Sequence, residues 1–492
     1  MASEPTATTG DASGPGSELG LNRTSVAPGS MSGGTVAAVL DAVSVSPPEP
    51  ELLAGSGLPP VSRTEPVTLS PPLSTRLDTS PGAAPLVAAP DRRHRRWPWV
   101  ALAVIVVAAA GLGVQLARPF PALALKRAVP TSSPVAGAIP ALPWPATGEA
   151  AVAVPQLGVT VDSGPQAPVP IASLTKIMTA YLTLRDHPLA PDAQGPVLTM
   201  TAADQAQAFA DEAVGATNVP VQPGETLTER QLLNGLLVHS ANNLADVLAQ
   251  WDAGSVPAFV AKMNAAAQSL GMLHTHYADA SGLDPGTMGT AGDELLVTQA
   301  AMAIPTFAAV VAQPSVTLPG IGVLMNYVSA VGTDGIVGVK SGFTQAAMGC
   351  LVLAGNRTVD GHHVLVLAAV TGQPGDDPLS AANQVDERLI DAAAAGLHEV
   401  PVTPSGVRVG SVTLPWSHAQ VPVVTTGAIA LLAWPGQEPH LALADRSLRT
   451  GMPAGTKVGT LSASIGHELV TVPVHVAGSL LGPSVSWRLR RS

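Results

Sequence analysis

The feature that most constrains this chain is an apolar run without a single charge, from Trp97 to Val114. With the uncharged residues 115–117 added, a helix over this run can cross the roughly 30 Å of a membrane's hydrocarbon core. The basic sequence Arg-Arg-His-Arg-Arg at residues 92–96 precedes the run, and Arg118 follows it. Such flanking charges are typical of a membrane span. The sequence therefore predicts a basic cluster and one transmembrane helix over residues 92–117, so the chain folds in separate parts on either side of a membrane.

The basic cluster also predicts how this helix is oriented. Positive charge stays on the cytoplasmic side of a membrane, which places residues 1–96 in the cytoplasm and residues 118–492 outside. A cleaved secretory signal is the alternative, with Ala122-Leu123-Ala124 as a candidate cleavage site. The long N-terminal segment and the long apolar run favour an uncleaved anchor, although a cleaved, secreted form stays open.

Two segments next to the helix lack the composition of a folded domain. Residues 1–91 contain no Phe, Trp, Tyr or Lys, and they carry nine acidic residues against three arginines. Such a segment buries too little apolar surface to offset the entropy of ordering its backbone, so we expect a disordered, acidic cytoplasmic tail. Residues 118–148 hold seven prolines, which predicts a stiff, extended stalk outside the membrane.

The rest of the chain divides into two folded domains. Residues 149–398 mix amphipathic helical patterns, such as the one at 256–270, with apolar runs at 335–342 and 348–355 that predict a β-hairpin. This mixture predicts an α+β domain in which helices pack on an antiparallel sheet. In residues 399–492, apolar and polar residues alternate and prolines and glycines interrupt the runs, which predicts a small all-β domain.

Charge and composition exclude several kinds of function. The net charge of −11 argues against nucleic acid as a partner, because its phosphates would be repelled. One cysteine excludes an intramolecular disulfide framework and a multi-cysteine zinc site, and no spacing of histidines and acids resembles a zinc peptidase. We therefore expect neither a metal nor a cofactor. Only five lysines occur, so a catalytic amine has few candidates.

Three short motifs in the first domain carry candidate catalytic chemistry. In the first motif, Ser173 and Lys176 stand three residues apart, which puts both on one face of a helix and lets the amine reach the hydroxyl. A serine needs a base to become a nucleophile, and a lysine can be that base when burial lowers its pKa. Taken alone, this motif also fits an exposed helix lysine.

The other two motifs lie further along the domain. Ser240 and Asn242 interrupt an apolar helical run, where they could relay a proton and hold a peptide, although on its own this motif fits an ordinary loop better. Lys340, Ser341 and Gly342 end an apolar strand. The cation and hydroxyl suit a carboxylate, and glycine leaves room for a substrate backbone to pair with the strand edge. A charged edge strand that prevents aggregation is the alternative.

Taken together and in this order, the three motifs are the signature of penicillin-binding proteins and serine β-lactamases. The chain resembles one branch, the serine D-alanyl-D-alanine carboxypeptidases among the low-molecular-mass penicillin-binding proteins, over about residues 149–390. The resemblance includes Pro170–Ala180, Pro223–Glu225, Gly282–Asp284 and Gly338–Thr344. It implies a β-lactamase/transpeptidase-like fold for residues 149–398, and the all-β tail is similar in size and place to that family's second domain.

The resemblance also implies a role for each motif residue. Ser173 would be the nucleophile, Lys176 its general base and Ser240 a proton relay. The residues that bind the substrate would be Asn242, Lys340, Ser341, Gly342 and Phe343. Backbone N–H groups of Ser173 and Phe343 would form the oxyanion hole. The reaction would remove the last D-Ala of a peptidoglycan stem peptide through an acyl-enzyme, and β-lactam antibiotics would be covalent inhibitors.

Two other functions stay open at this point. A class A β-lactamase needs a glutamate soon after the second motif to activate water, and no glutamate occurs between Asn242 and Asp293. The other is a catalytically idle, membrane-tethered wall-binding homologue, although all five polar side chains of the motifs are intact. The chain departs from the family pattern at Ser341, where threonine is commoner, and at Asn243, where aspartate often follows the second motif.

Overall fold

The computed structural model describes residues 96–137 and 140–491, which belong to one compact unit, Asp91–Ser492. The disordered tail expected for residues 1–91 lies outside the described residues and stays a prediction. The helices in the described ranges are α1 Trp97–Ala117, α2 Thr175–Asp186, α3 Ala202–Ala213, α4 Glu229–Leu237, α5 Asn242–Ala253, α6 Val256–Leu270, α7 Ala291–Met302, α8 Pro305–Val311, α9 Pro378–Gly396 and α10 Val485–Arg490.

The strands in the same ranges fall into two groups. Those that precede the C-terminal domain are β1 Leu125–Arg127, β2 Glu149–Val154, β3 Val159–Asp162, β4 Val169–Pro170, β5 Val197–Thr199, β6 Thr226–Thr228, β7 Met288–Gly289, β8 Ser315–Leu318, β9 Gly322–Met325, β10 Ile336–Thr344, β11 Met348–Val359 and β12 His362–Gln373. Those of the C-terminal domain are β13 His398–Thr403, β14 Arg408–Thr413, β15 Gln420–Thr425, β16 Ile429–Ala433, β17 His440–Asp445, β18 Lys457–Ile465 and β19 Glu468–Val476.

Helix α1 is apolar along its whole length. Its mean hydropathy is 2.4, and none of its residues is buried within the described structure. A helix satisfies all its backbone hydrogen bonds internally, so such a surface is stable in lipid and unfavourable in water. Helix α1 therefore has the length and composition to cross a membrane, as the sequence predicts for this segment.

A five-stranded antiparallel sheet of order β10-β11-β12-β2-β3 forms the centre of the first domain. Strands β10 and β11 are the hairpin that the sequence predicts, and Lys340 pairs with Val352 in their register. Successive side chains point to opposite faces of a strand. Accordingly Val352 belongs to the core on one face of the sheet, and Leu351 and Leu353 belong to the core on the other.

Helices cover both faces of this sheet. The first core includes residues from α2 and from α4 to α8, among them Ile177, Leu232 and Leu244. The second core includes Leu389 and Ile390 from α9. Because helices and an antiparallel sheet share these two cores, the α+β class predicted from the sequence is confirmed. Strand β10 lies at the edge of the sheet, and its outer side faces the helices that carry the first two motifs.

The C-terminal domain is built from β-strands apart from the short helix α10. Its main sheet has the order β1-β14-β15-β19-β18-β17, and β13 pairs with β16. Trp434 is buried, and its Nε1–H donates to the carbonyl oxygen of Ala393 in α9 at 2.9 Å. The all-β domain expected from the alternating pattern is confirmed, and it packs on the outer helix of the first domain.

The segment predicted as an extended stalk, residues 118–148, differs from that expectation. Strand β1 pairs with β14, with Leu125 opposite Val412, and Val135 and Leu142 are buried. The segment is extended, as its prolines predict, but it adds an edge strand to the C-terminal sheet and does not stand free. Proline content indicates an extended backbone and carries no information about its partner.

Helix α10 brings the end of the chain back to the end of α1. Arg491 donates to the carbonyl oxygens of Gln115 at 3.1 Å and Arg118 at 2.6 Å. The Arg488 guanidinium lies 4.7 Å from the centre of the Phe120 ring. The C-terminal domain is therefore attached to the exit of α1 both through β1 and through α10.

Candidate active site

Ser173 lies in a 3-10 turn, Ala172–Leu174, that leads directly into α2. Its neighbour Ala172 has φ of 47°, a left-handed conformation that is strained for a residue with a Cβ. The turn directs the Ser173 side chain out of the helix start, while its backbone N–H belongs to the positive end of the helix dipole. Lys176 follows in the first turn of α2, so its side chain points back toward Ser173.

The amine of Lys176 is held by three oxygens. Nζ lies 2.8 Å from Ser173 Oγ, 2.5 Å from Asn242 Oδ1 and 2.8 Å from the carbonyl oxygen of Ser281. Its side chain is fully buried, and burial lowers the pKa of Lys176 to about 7 even though nearby aspartates favour the charged form. At neutral pH a large part of the amine is therefore uncharged, and its lone pair can accept the Ser173 proton.

Ser240 and Asn242 lie where α4 ends and α5 begins. Ser240 has φ of 64°, and Ala241 N–H donates to the carbonyl oxygen of Gly235 at 3.0 Å, so the chain turns sharply here. Asn242 is the first residue of α5, which places its amide beside Lys176. The interruption seen in the sequence is therefore a tight junction between two helices, and both side chains are nearly buried.

Lys340 and Ser341 lie on β10, across the cleft from α5. The Lys340 side chain is 1% exposed, and its Nζ donates to the carbonyl oxygen of Ser341 at 2.7 Å. Burial, with a smaller effect from the charge of Lys176, lowers the pKa of Lys340 well below its usual range. A buried amine of this kind becomes protonated most readily when an anion, such as a peptide carboxylate, binds beside it.

Gly342 lets β10 approach the turn that carries Ser173. A Cβ at Gly342 would stand 2.8 Å from the backbone nitrogen of Ser173 and 3.1 Å from the Cβ of Ala172. Any side chain at this position would therefore push β10 away from the candidate nucleophile. Phe343, the next residue, is half exposed and borders the same cleft.

These residues surround one cleft of about 610 Å³. Six of the eight residues predicted from the sequence line it: Ser173, Ser240, Asn242, Ser341, Gly342 and Phe343. The other two, Lys176 and Lys340, lie behind its wall, where both amines are buried. The cleft can therefore present a hydroxyl with an adjacent base at one side and, at the other, a buried amine that becomes charged when an anion binds beside it.

Several residues of the cleft carried no signal of their own in the sequence. The carbonyl oxygen of Ser281 contacts Lys176, and Gly282 and Leu283 line the cleft. Gly282 has φ of 81°, and a Cβ there would stand 1.7 Å from the carbonyl oxygen of Ala172. The Gly-Leu-Asp sequence was visible only as part of the family resemblance. Tyr327, another lining residue, belongs to no motif.

Asn243, the departure from the family pattern next to the second motif, does not line the cleft. Its Nδ2–H donates to the carbonyl oxygen of Val219 at 2.8 Å, and its Oδ1 accepts from Val219 N–H at 3.0 Å. The side chain thus holds the 214–219 segment, part of which forms the opposite rim of the cleft. An aspartate could accept but not donate in this pair.

The chain is similar to known proteins over the part that contains the cleft. A family model described as D-alanyl-D-alanine carboxypeptidase matches residues 158–373. D-alanyl-D-alanine carboxypeptidase DacB2 of Mycobacterium tuberculosis is 37% identical over 210 residues, which cover 41% of this chain and 67% of that protein. The D-alanyl-D-alanine carboxypeptidase of Streptomyces sp. strain K15 is 32% identical over 228 residues, which cover 42% of this chain and 75% of that protein.

A solved structure resembles the chain over a longer stretch. A peptidoglycan synthesis regulatory factor (PBP3) from Streptococcus pneumoniae has a TM-score of 0.51 and 20% sequence identity, and it covers 68% of this chain and 99% of its own. At this level of identity the likeness concerns the fold alone. It confirms the penicillin-binding-protein fold that the three motifs imply.

Proposed function

The chain belongs to the D-alanyl-D-alanine carboxypeptidase family of serine peptidases, and we propose that it removes the terminal D-Ala of peptidoglycan stem peptides through an acyl-enzyme on Ser173. The observation that carries this proposal is the 2.8 Å contact between Lys176 Nζ and Ser173 Oγ. A buried amine with a pKa of about 7 is a suitable base for a serine hydroxyl at neutral pH. The reaction belongs to the biosynthesis and remodelling of the cell wall.

In the acylation step, Lys176 takes the proton of Ser173 as Oγ attacks the carbonyl carbon of the penultimate D-Ala. The tetrahedral oxyanion is stabilised by the backbone N–H groups of Ser173 and Phe343. Ser240 relays to the leaving nitrogen the proton that Lys176 has taken, so that the C–N bond breaks, D-Ala departs as a neutral amine and Lys176 is uncharged again. An ester between Ser173 and the shortened peptide remains.

The residues that bind the substrate lie on the opposite side of the cleft. Lys340 and Ser341 hold the terminal carboxylate of the peptide, and Asn242 donates its amide Nδ2–H groups to the peptide backbone. The Asn242 Oδ1 is already engaged by Lys176, which leaves Nδ2 as the free donor. Water then attacks the ester with Lys176 again as the base, and the second product is released.

The direct test is release of free D-Ala from a synthetic peptide ending in D-Ala-D-Ala. We expect release by the full chain in detergent and a loss of about 10²–10⁴-fold in Lys176→Ala, because the base is removed. Lys457→Ala, which changes an exposed lysine on β18 of the C-terminal domain, is the matched control and keeps the activity. A folded protein that binds penicillin but releases no D-Ala would narrow the activity to peptide transfer or cleavage of cross-links.

Fluorescent penicillin distinguishes the proposal from an idle homologue. An active serine peptidase of this family forms a covalent adduct that survives denaturation. We expect label on the wild-type chain and none on Ser173→Ala. No label on either protein would favour the wall-binding alternative, and equal label on both would contradict Ser173 as the acylated residue.

A β-lactamase is disfavoured by the composition of the cleft. None of the cleft-lining residues in the described part of the chain is Asp or Glu, and Glu294 is fully buried in α7. No carboxylate is therefore placed to activate water on a penicilloyl ester in the manner of class A enzymes. We expect the penicillin adduct to persist much longer than one catalytic cycle, which a chase with unlabelled penicillin measures.

We place the catalytic domain outside the cell, anchored by α1. The contacts of Arg491 with Gln115 and Arg118 support an uncleaved anchor, because cleavage after Ala124 would remove both partners. A membrane-impermeant maleimide applied to spheroplasts tests the orientation. We expect label on Glu438→Cys, at an exposed site, and none on Ser13→Cys in the tail. The wild-type chain is the background control, because Cys350 is buried.

A further inference from the structure

A second pocket of about 470 Å³ borders the cleft and shares Asn242 and Leu283 with it. Four aspartates line this pocket, and they come from three parts of the chain. Asp211 lies at the end of α3, Asp246 lies one turn after Asn242 on α5, and Asp279 and Asp284 lie in the turn that carries Leu283. We call this the acidic pocket.

Two of the four carboxylates accept hydrogen bonds from residues of the turn in which they lie. Asp279 accepts hydrogen bonds from Thr287 Oγ1 at 2.5 Å and from Leu283 N–H at 2.8 Å. Asp284 accepts from Gly286 N–H at 2.8 Å. These two residues shape the loop, so they do not by themselves indicate a ligand.

The other two carboxylates have acceptor capacity that nothing uses. Asp211 is only 2% exposed, and its Oδ2 has no hydrogen-bond partner within the described structure, while Oδ1 accepts from Gln207 at 2.9 Å. Asp246 makes no hydrogen bond or ion pair within residues 96–137 and 140–491. A buried carboxylate oxygen without a partner costs free energy, which a bound donor would recover.

The electrostatics of the acidic pocket favour a cation. Burial raises the pKa of Asp211. The pKa of Asp246 is raised to about 6 by burial and by repulsion from the carboxylates of Asp211 and Asp279. With a pKa of about 6, Asp246 is still largely ionised at neutral pH. Among the described residues, Lys176 is the one cation that lowers the pKa of these two carboxyl groups, and its amine already contacts three other oxygens.

The shape of the acidic pocket favours an ammonium group over a metal ion. No group of three or more side chains with metal-binding geometry occurs within the described part of the chain. The carboxylates are spread around the walls of a large space and do not converge on one point. An ammonium on a flexible stem can reach a single carboxylate in such a space and donate three hydrogen bonds.

We propose that the acidic pocket binds a free ammonium group on the side chain of the residue that precedes D-Ala-D-Ala in the substrate. This inference rests on the proposed function. In the proposed reaction the penultimate D-Ala lies at Ser173, and Asn242 and Leu283 line both the cleft and the acidic pocket, so the acidic pocket is the neighbouring space for the side chain of the preceding residue. Asp246 is the carboxylate that receives it, because Asp246 lies on the pocket wall and is unpaired.

Two synthetic peptides test this assignment. Both end in D-Ala-D-Ala, and they differ only in the preceding residue, which is lysine in one and Nε-acetyl-lysine in the other. One charge-assisted hydrogen bond corresponds to about a tenfold difference in kcat/KM, so we expect the wild-type chain to prefer the free amine by about that factor. The preference falls as sodium chloride is raised, because salt screens the attraction.

Asp246→Asn should reduce the preference to about one. Any effect of this substitution through Lys176 alters both peptides equally and cancels in the ratio. Glu212→Gln is the matched control: it removes the same charge from an exposed position on α3 that does not line the acidic pocket, and it keeps the preference. Asp211→Asn provides a second variant and should also lower the ratio.

The outcomes separate this inference from the proposed function. Equal kcat/KM for the two peptides in the wild-type chain, or a preference that survives in Asp246→Asn, overturns the assignment of the acidic pocket while D-Ala release still supports the carboxypeptidase. No D-Ala release from either peptide overturns the proposed function and the assignment together.

Discussion

Two lysines are buried on either side of the cleft, and each has a distinct electrostatic setting. Lys176 is surrounded by oxygen atoms and by distant aspartates, which partly offset the effect of burial and leave its pKa at about 7. No nearby carboxylate offsets the effect of burial on the pKa of Lys340 among the described residues, and the charge of Lys176 lowers that pKa further. One amine is therefore suited to exchanging protons, and the other is suited to an incoming anion that restores its charge.

The first prediction concerns the pH dependence of acylation. The base acts in its neutral form, so the acylation rate by penicillin should rise about tenfold per pH unit below pH 7 and level off above it. Stopped-flow or quench measurements between pH 5 and pH 9 give this profile. Lys176→Arg should lose acylation at every pH in that range, because a guanidinium stays protonated. A flat profile in the wild-type chain would contradict the role of Lys176.

Gly342 provides a second test at the same scale. In Gly342→Ala the added Cβ would stand 2.8 Å from the Ser173 nitrogen, so β10 and the turn at Ser173 must move apart. A displacement of about 1 Å in an active site costs about 100-fold in rate, and we expect that loss in penicillin acylation. Gly478→Ala is the control, because its Cβ would make an ordinary 3.4 Å contact with Val421. Equal acylation of Gly342→Ala and wild type would contradict the close packing described for this strand.

At the scale of secondary structure, the elements with strong periodic patterns could be predicted and the others could not. Helix α6 has the expected bounds, 256–270, with Gly271 directly after its last residue, and the β10–β11 hairpin is where two apolar runs predict it. Helix α3 was missed because only Ala208 and Asp211 on it are buried, so it shows no apolar stripe. Strand β1 was missed because its partner lies almost 300 residues away.

In the candidate site, too, some residues could be predicted from the sequence and others could not. The motif residues could be predicted because the three motifs occur together in the order typical of the penicillin-binding-protein family, whereas each motif alone also fits an ordinary helix, loop or edge strand. The carbonyl oxygen of Ser281 and the carboxylates of Asp211 and Asp246 could not, because three separate elements bring them to Lys176. Spacing along a sequence does not report such convergence, and an aspartate on a helix surface is ordinary in composition.

Helix α9 offers a test of element packing. Asp386 lies on the buried face of this helix, and neither of its carboxylate oxygens has a hydrogen-bond partner within the described residues. Burial raises the pKa of Asp386 well above its usual range. The folded state therefore retains a proton that the unfolded chain releases above about pH 4, so stability falls as the pH rises from that value.

Replacing Asp386 with a residue that does not titrate should remove this loss of stability at higher pH. We expect Asp386→Asn to have a Tm at least about 2 °C above the wild-type value at pH 7.5, with a smaller difference at pH 4.5. Thermal unfolding of the full chain in detergent measures this. Asp376→Asn, at an exposed position before α9, is the control and should leave the Tm unchanged. A lower Tm for Asp386→Asn at pH 7.5 would show that the carboxylate is charged and stabilised.

At the scale of the whole molecule, the C-terminal domain connects the catalytic domain to the apolar helix α1. It packs on α9 through Trp434, takes up β1 directly after α1, and returns to the end of α1 through α10. The segment between α1 and the catalytic domain is thus incorporated into a folded domain, which limits the movement of the cleft relative to α1.

Membrane attachment through α1 gives a prediction at this scale. We expect the full chain to remain in the membrane pellet after extraction with alkaline carbonate. A double variant with Val106→Arg and Ala109→Arg should move to the supernatant, because each charge at the centre of a membrane helix costs about 2.5–3.5 kcal/mol on insertion scales. Val106→Leu is the control and should stay in the pellet. Wild-type chain in the supernatant would contradict a membrane-spanning α1.

The central claim is that Ser173 is the residue that becomes acylated, and peptide mapping of a trapped adduct tests it most directly. The full chain is incubated with benzylpenicillin at pH 7.5, denatured, digested and analysed by mass spectrometry. We predict a mass increase equal to one penicillin on Ser173, and no increase in Ser173→Ala. An adduct on Ser240 or Ser341, or a folded wild-type chain with no adduct, would contradict it.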